Sequence, residues 1–125
     1  MSGRDEDLLR FIAGSFPSVW ALELLLLLKG ERRVWSREEL VASLRASELV
    51  VSKALDGLVI AGLASVEEGG AIYSPVNKQV EADIDKVEKL YGSRPNAVRR
   101  AIVSAGTSSA TAFADAFRLR RGDDG

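Results

Sequence analysis

Leu8, Leu9, Phe11 and Ile12 recur at helical intervals behind the acidic turn Asp5-Glu6-Asp7, where the helix dipole favours negative charge. The spacing predicts a helix from Asp5 to Ala13 that ends at Gly14. Ser15-Phe16-Pro17-Ser18 supplies a turn and the start of a second helix, Val19 to Lys29, closed by Gly30. This helix is apolar almost all round, the mark of a central buried element, which assigns Trp20, Leu24, Leu27 and Leu28 to the core. Ser36-Arg37-Glu38-Glu39 has the form of a capping box, the serine and the third-position glutamate satisfying each other's free backbone donors, ahead of a helix over about 37–45. After a break at Arg45-Ala46-Ser47, the positions Val51, Ala54, Leu55, Leu58 and Val59 carry another helix to Gly62, a residue suited to a left-handed terminus.

Beyond Gly62 the period falls to two. Leu63 to Glu67, a turn at Glu68-Gly69-Gly70, and Ala71 to Val76 predict a β-hairpin. Asn77 then caps a helix whose Val80, Ile84, Val87 and Tyr91 form one stripe, stopped by Gly92. Ser93-Arg94-Pro95 restarts a helix through Val98, Ile102 and Ala105, and Gly106-Thr107-Ser108-Ser109 separates a last one with Phe113 and Phe117 on one face. No internal repeat or low-complexity tract interrupts this order.

The expected fold is therefore mainly α with a small β-hairpin. Two short helices joined by a tight connection make a helix-turn-helix, and with the hairpin behind them residues 19–76 resemble a winged helix-turn-helix domain. Within it, Val51-Ser52-Lys53-Ala54-Leu55-Asp56-Gly57-Leu58-Val59-Ile60-Ala61-Gly62-Leu63-Ala64 is similar to the recognition helix and first wing strand of MarR-like bacterial transcriptional regulators. The spacing Ala-Leu-Asp-x-Leu-x-x-x-Gly-Leu carries the likeness, which extends over about half the chain. It implies an N-terminal helix and turn over 1–18, a DNA-binding domain over 19–76, a C-terminal helical extension for dimerisation over 77–121, and a disordered tail over 122–125.

Composition removes much other chemistry. The 125 residues contain neither cysteine nor histidine, so disulfides, thiol nucleophiles, Cys/His zinc sites and imidazole catalysis are excluded. The acidic pairs Glu38/Glu39 and Glu67/Glu68, and the group Asp83, Asp85, Glu88, each have an ordinary place on a capped helix, a strand and a polar helix face. No phosphate-binding loop or nucleophile elbow occurs. The chain is expected to be no enzyme, with no cofactor and no metal. The longest apolar run, Val19 to Leu28, spans ten residues and contains Glu23, so neither a signal peptide nor a membrane span is expected, and a cytoplasmic location follows.

A net charge of −1 conceals an asymmetry: residues 1–93 carry 11 basic and 15 acidic side chains, whereas 94–121 carry six arginines against Asp115. The arginines are either the wet face of two helices or a local basic patch. For a DNA-binding reading, the groove contacts fall to Ser47, Ser52 and Lys53, and the phosphate contacts to Arg32, Arg33, Arg37 and Arg45. Such a regulator binds double-stranded DNA as a homodimer, and Val80, Ile84, Val87, Tyr91, Phe113 and Phe117 are the expected seam. Glu48 and Asp56 on the recognition helix and Glu67 and Glu68 on the wing oppose phosphate. With Leu49 and Val50 beside them they open a second reading, a winged helix that holds another protein through this face or its C-terminal helices. Trp20 and Trp35 are read as core or wing-packing residues rather than base-stacking groups.

Overall fold

A computed structural model describes residues 3–105, with side chains from residue 6 onward. The architecture is mainly helical with one two-stranded antiparallel hairpin. The order is α1 (Gly3–Ser15), α2 (Val19–Gly30), α3 (Arg37–Leu44), α4 (Glu48–Ile60), β1 (Ala64–Glu67), β2 (Gly70–Tyr73) and α5 (Lys78–Ser93), with a further helix, α6, over 95–105. The expected last helix with Phe113 and Phe117, the basic run from Arg118 to Arg121, and the tail 122–125 lie outside the described residues.

Local signals set most boundaries. Ser18, Ser47 and Asn77 are N-caps whose side chains accept from Ala21 N, Val50 N and Val80 N, filling donors that the first turn leaves free. At α3 the capping box is complete: Glu39 N donates to Ser36 Oγ at 3.1 Å and Ser36 N donates to Glu39 Oε1 at 2.9 Å. Gly14 and Gly92 do not stop their helices, which run one residue further to Ser15 and Ser93; neither is required to turn left-handed there. The α3–α4 connection instead turns at Arg45, a non-glycine residue at φ 54°.

A single buried cluster runs from Ile12 to Ile102. At its centre α2 contributes Ala21, Leu22, Leu24, Leu25 and Leu28, each with no exposed surface, and packs against α3, α4 and β2. Trp20 departs from the expected core position, being 42% exposed. The helix is apolar all round, yet its buried side is set by Ala21, Leu24, Leu25 and Leu28; Trp20, Glu23 and Leu27 share the other side. That side is only partly covered, with Glu23 accepting from the Tyr91 hydroxyl at 3.3 Å. Among the described residues no single helix is long and apolar enough to cross a membrane.

The hairpin pairs Ala64 with Tyr73, Ser65 with Ile72, Val66 with Ala71 and Glu67 with Gly70. It is not free-standing. Trp35, between α2 and α3, forms an antiparallel bridge to Ala71, with N···O distances of 2.8 and 2.9 Å in the two directions. Trp35 is buried and its indole N–H donates to Glu31 O at 2.9 Å, so the expected packing role against the hairpin holds. The approach of the two segments demands glycine at 70: a Cβ there would sit 1.8 Å from the Trp35 carbonyl oxygen, at φ 153°. Gly62, at φ 78°, reverses the chain from α4 into β1 as expected.

These contacts separate two glycines by experiment. Gly70→Ala should destabilise by more than about 2 kcal/mol, because the methyl cannot be placed without breaking the Trp35–Ala71 bridge. Gly92→Ala, in α5 with nothing within 4 Å of the added methyl, should stabilise by about 0.5–1 kcal/mol. Thermal melts of both variants beside the wild type check the pair; equal effects would mean that the bridge does not constrain residue 70.

Candidate nucleic-acid interface

The face expected to meet DNA is built from α3, the three-residue connection 45–47, α4 and the hairpin. Val51, Ala54, Leu55 and Leu58 point into the core, which leaves the opposite side of α4 outward. Glu48, Leu49, Lys53, Asp56 and Ile60 are exposed there, and Ser52 is half-buried. Leu49, Lys53, Asp56 and Ile60 succeed one another at spacings of four, three and four, so they form one ridge. Ile60, at 87% exposure, is the most exposed large apolar residue among those described. It escaped the sequence reading, which followed the outward face only as far as Asp56; continuing the same spacing by one more step reaches it.

The expected contact residues fall into three groups. Arg45 and Lys53 are exposed on this face. Arg37 is exposed too, and its guanidinium donates to Ser52 Oγ at 2.9 Å, joining the start of α3 to the middle of α4. Ser47 is exposed, and its oxygen is engaged as the N-cap of α4. Arg32 and Arg33 differ. Arg32 pairs with Glu81 at 3.7 Å and lies 5.0 Å above the Tyr73 ring. Arg33 donates through both terminal nitrogens to the two Glu39 oxygens at 3.1 and 3.0 Å, reaches Glu31 Oε1 at 3.1 Å, and stacks 3.9 Å over Trp35. These two arginines bind acids and rings of their own chain, and a phosphate would have to displace those partners. The Arg33–Glu39 pairing spans six positions, a distance no local spacing rule marks.

The Arg33 fork is the first cause, and the Ser36 backbone N–H the second, that holds the Glu39 carboxyl down at about 2, against an ordinary value of 4.5. Arg33 is shifted upward by the same Glu39 contact. Once Arg33 and Glu39 are set against each other, Arg37, Arg45 and Lys53 face Glu38, Glu48, Asp56, Glu67 and Glu68, so this surface is acidic.

A cleft of about 260 Å³ opens between α3, α4 and the hairpin, floored by Leu40, Val51, Leu55 and Ala71 with Arg37 and Glu67 at its edge. No cluster among the described residues is arranged to hold a metal ion.

The expected seam residues on α5 turn inward. Ile84 and Val87 have no exposed surface, because the stripe covers the chain's own core; no second copy can reach these two without opening the monomer. Val80 and Tyr91 at its margins are half-buried. Tyr91 accepts from Arg99 Nε at 3.3 Å, while Phe113 and Phe117 lie outside the described residues. On the side of α5 that meets the end of α2, Lys29 bridges Glu88 at 2.7 Å and Asp85 at 3.2 Å. The Glu88 hydrogen bond leads the effects that raise the Lys29 pKa. The Tyr73 hydroxyl beside this group is buried with no hydrogen-bond partner, and burial raises its pKa.

Comparison of the chain with protein-family models, curated proteins and solved structures gives no match.

The Glu39 shift fixes a pH dependence. The folded chain keeps Glu39 ionised to about pH 2, whereas the unfolded chain takes up the proton near 4.5. The stabilisation is complete above that range and is lost as pH falls towards 2. Melting temperature should therefore drop more steeply in acid for the wild type than for Glu39→Gln, which retains a cap but not the charge; parallel curves would show that the Arg33 pairing does not stabilise the fold.

Proposed function

We propose that this chain is a winged helix-turn-helix protein, similar to MarR-like regulators, that binds duplex DNA as a homodimer and regulates transcription. One observation carries the reading. A tight helix pair, α3 and α4, is followed at once by a hairpin that is bridged back to the segment before the pair. This arrangement presents one helix, α4, with Glu48, Leu49 and Lys53 outward beside the hairpin, the geometry by which such domains enter a major groove. Arg37, Arg45 and Lys53 are the cations available to phosphate, and Ser52, linked to Arg37, is the polar group nearest the centre of the face. Three cations neutralise few phosphates, so affinity rests on two copies engaging two half-sites.

A second reading draws on the ridge of α4. Leu49 at 63% and Ile60 at 87% exposure flank Lys53 and Asp56, and acids predominate around them. Such a surface suits a protein partner with apolar anchors and basic flanks.

Mobility shift on total genomic fragments at low and physiological salt, with the solution mass measured alongside, tests the first reading. A dimer that retains a few fragments is the expected result. Arg37→Glu with Lys53→Glu should abolish that retention without moving the melting temperature by more than a few degrees. Each single change removes one contact from each copy and should lower the salt slope of the dimer by about two units. Retention unchanged by both substitutions, or no retention at low salt, would overturn it; Leu49→Asp and Ile60→Asp then become the informative variants for a protein complex.

A further inference from the structure

The backbone of the hairpin is closed on one side only. Ala71 commits both its N–H and its C=O to Trp35, so these groups point away from β1. In an antiparallel ladder the residue opposite such a position belongs to a non-hydrogen-bonded pair, and its own N–H and C=O point outward in turn. That residue is Val66. Trp35 thus covers the far edge of β2, whereas β1 is the outer strand and carries the Val66 donor and acceptor on its open edge. The Val66 side chain is 63% exposed.

Val66 also lines the cleft of about 260 Å³ between α3, α4 and the hairpin. The floor of that cleft, Leu40, Val51, Leu55 and Ala71, is buried and apolar. Its volume falls short of the range of about 300–1,000 Å³ that takes a whole small ligand, and suits a single large side chain. Edge and cleft are in register. Residues directly opposite each other in a ladder share a face, so a residue pairing with Val66 from outside has its side chain on the face of Val66 and Ala71, which is the cleft face. The residues before and after it fall on the other face, with Ser65 and Glu67. Acids surround the position: Glu67 on β1, Glu68 in the turn and Glu38 in the lining of the cleft are all exposed. The cation at the cleft, Arg37, is engaged with Ser52.

We propose that the open edge of β1 takes up an extended segment of another protein. An apolar residue of that segment pairs with the Val66 backbone and fills the cleft, and basic residues beside it meet Glu67, Glu68 and Glu38. The three glutamates oppose a phosphate backbone at this edge, so the occupant is polypeptide. The proposal rests on the second reading above, a protein partner at this face, and gives it a mode: main-chain hydrogen bonds supply affinity, and the alternation of basic and apolar residues supplies specificity.

The probe is a short acetylated, fluorescein-labelled peptide with lysine at every second position and, on the alternate ones, a central leucine flanked by threonines. Fluorescence anisotropy on titration with the full chain at low salt should show binding. Methylating the leucine backbone nitrogen removes the hydrogen bond to the Val66 carbonyl without altering charge, and should weaken binding by about fivefold or more. Val66→Pro should weaken it as much; the N–H it removes faces away from β2, where proline is tolerated on an edge strand, and a thermal melt checks that the fold is kept. Equal affinity for the methylated and unmethylated peptides would mean attraction by charge alone and overturn the proposal, as would an absence of binding to the wild type. Binding that survives Val66→Pro but is lost in Leu49→Asp with Ile60→Asp would move the partner to the α4 ridge, overturning the proposal while sparing the reading on which it rests.

Discussion

The fold depends on one helix with nothing polar on its buried side. Leu22, Leu24, Leu25 and Leu28 of α2 lose all contact with water, and full burial of each such side chain contributes about 1.5–3 kcal/mol before entropy is charged against it. The elements on which the proposed function draws are placed by reference to this rod. α3, α4 and β2 pack against it, and its last turn brings Lys29 to the acids of α5. The arrangement explains how short helices, α3 with only eight residues, hold their positions: they borrow stability from α2 rather than from their own hydrogen bonds.

A polar frame is laid over this apolar one. Arg33, Glu39 and Ser36 close the start of α3, and Lys29, Asp85 and Glu88 close the end of α2. Both sets use cations that a count of basic residues would assign to a ligand. The result is a face on α4 whose free charges are few and mixed, and whose ridge begins and ends on exposed apolar side chains, Leu49 and Ile60. For the proposed function, such a face would have to rely more on shape and on the number of copies engaged than on a strong positive field.

Much of this was legible in the sequence because it rests on short-range chemistry. The Ser36–Glu39 box, the Asn77 cap, the Gly62 reversal and the hairpin turn are fixed by residues within four positions of one another, and each sits where spacing placed it. What depends on distant partners was not legible. Trp20 sits in a helix apolar on every side, so periodicity could not say which side is buried. The stripe of Ile84 and Val87 reads the same whether it covers its own core or a neighbour's, and only the three-dimensional packing decides. At the candidate interface, the outward set on α4 followed from helical geometry, whereas the capture of Arg32 by Glu81 and of Arg33 by Glu39 did not.

The bridge between Trp35 and Ala71 has a mechanical meaning. A hairpin tethered only at its base can swing about its first and last residues, but this one is also fastened by two hydrogen bonds to the strap that leads into α3. The strap carries Arg33, which grips the opening turn of α3, and Arg32, which rests on Tyr73 of the second strand. Hairpin, strap and helix start are thus triangulated. Through the hydrogen bond from Arg37 to Ser52 the same set of contacts reaches α4, so hairpin, strap, α3 and α4 are joined by contacts on more than one side rather than by the chain alone.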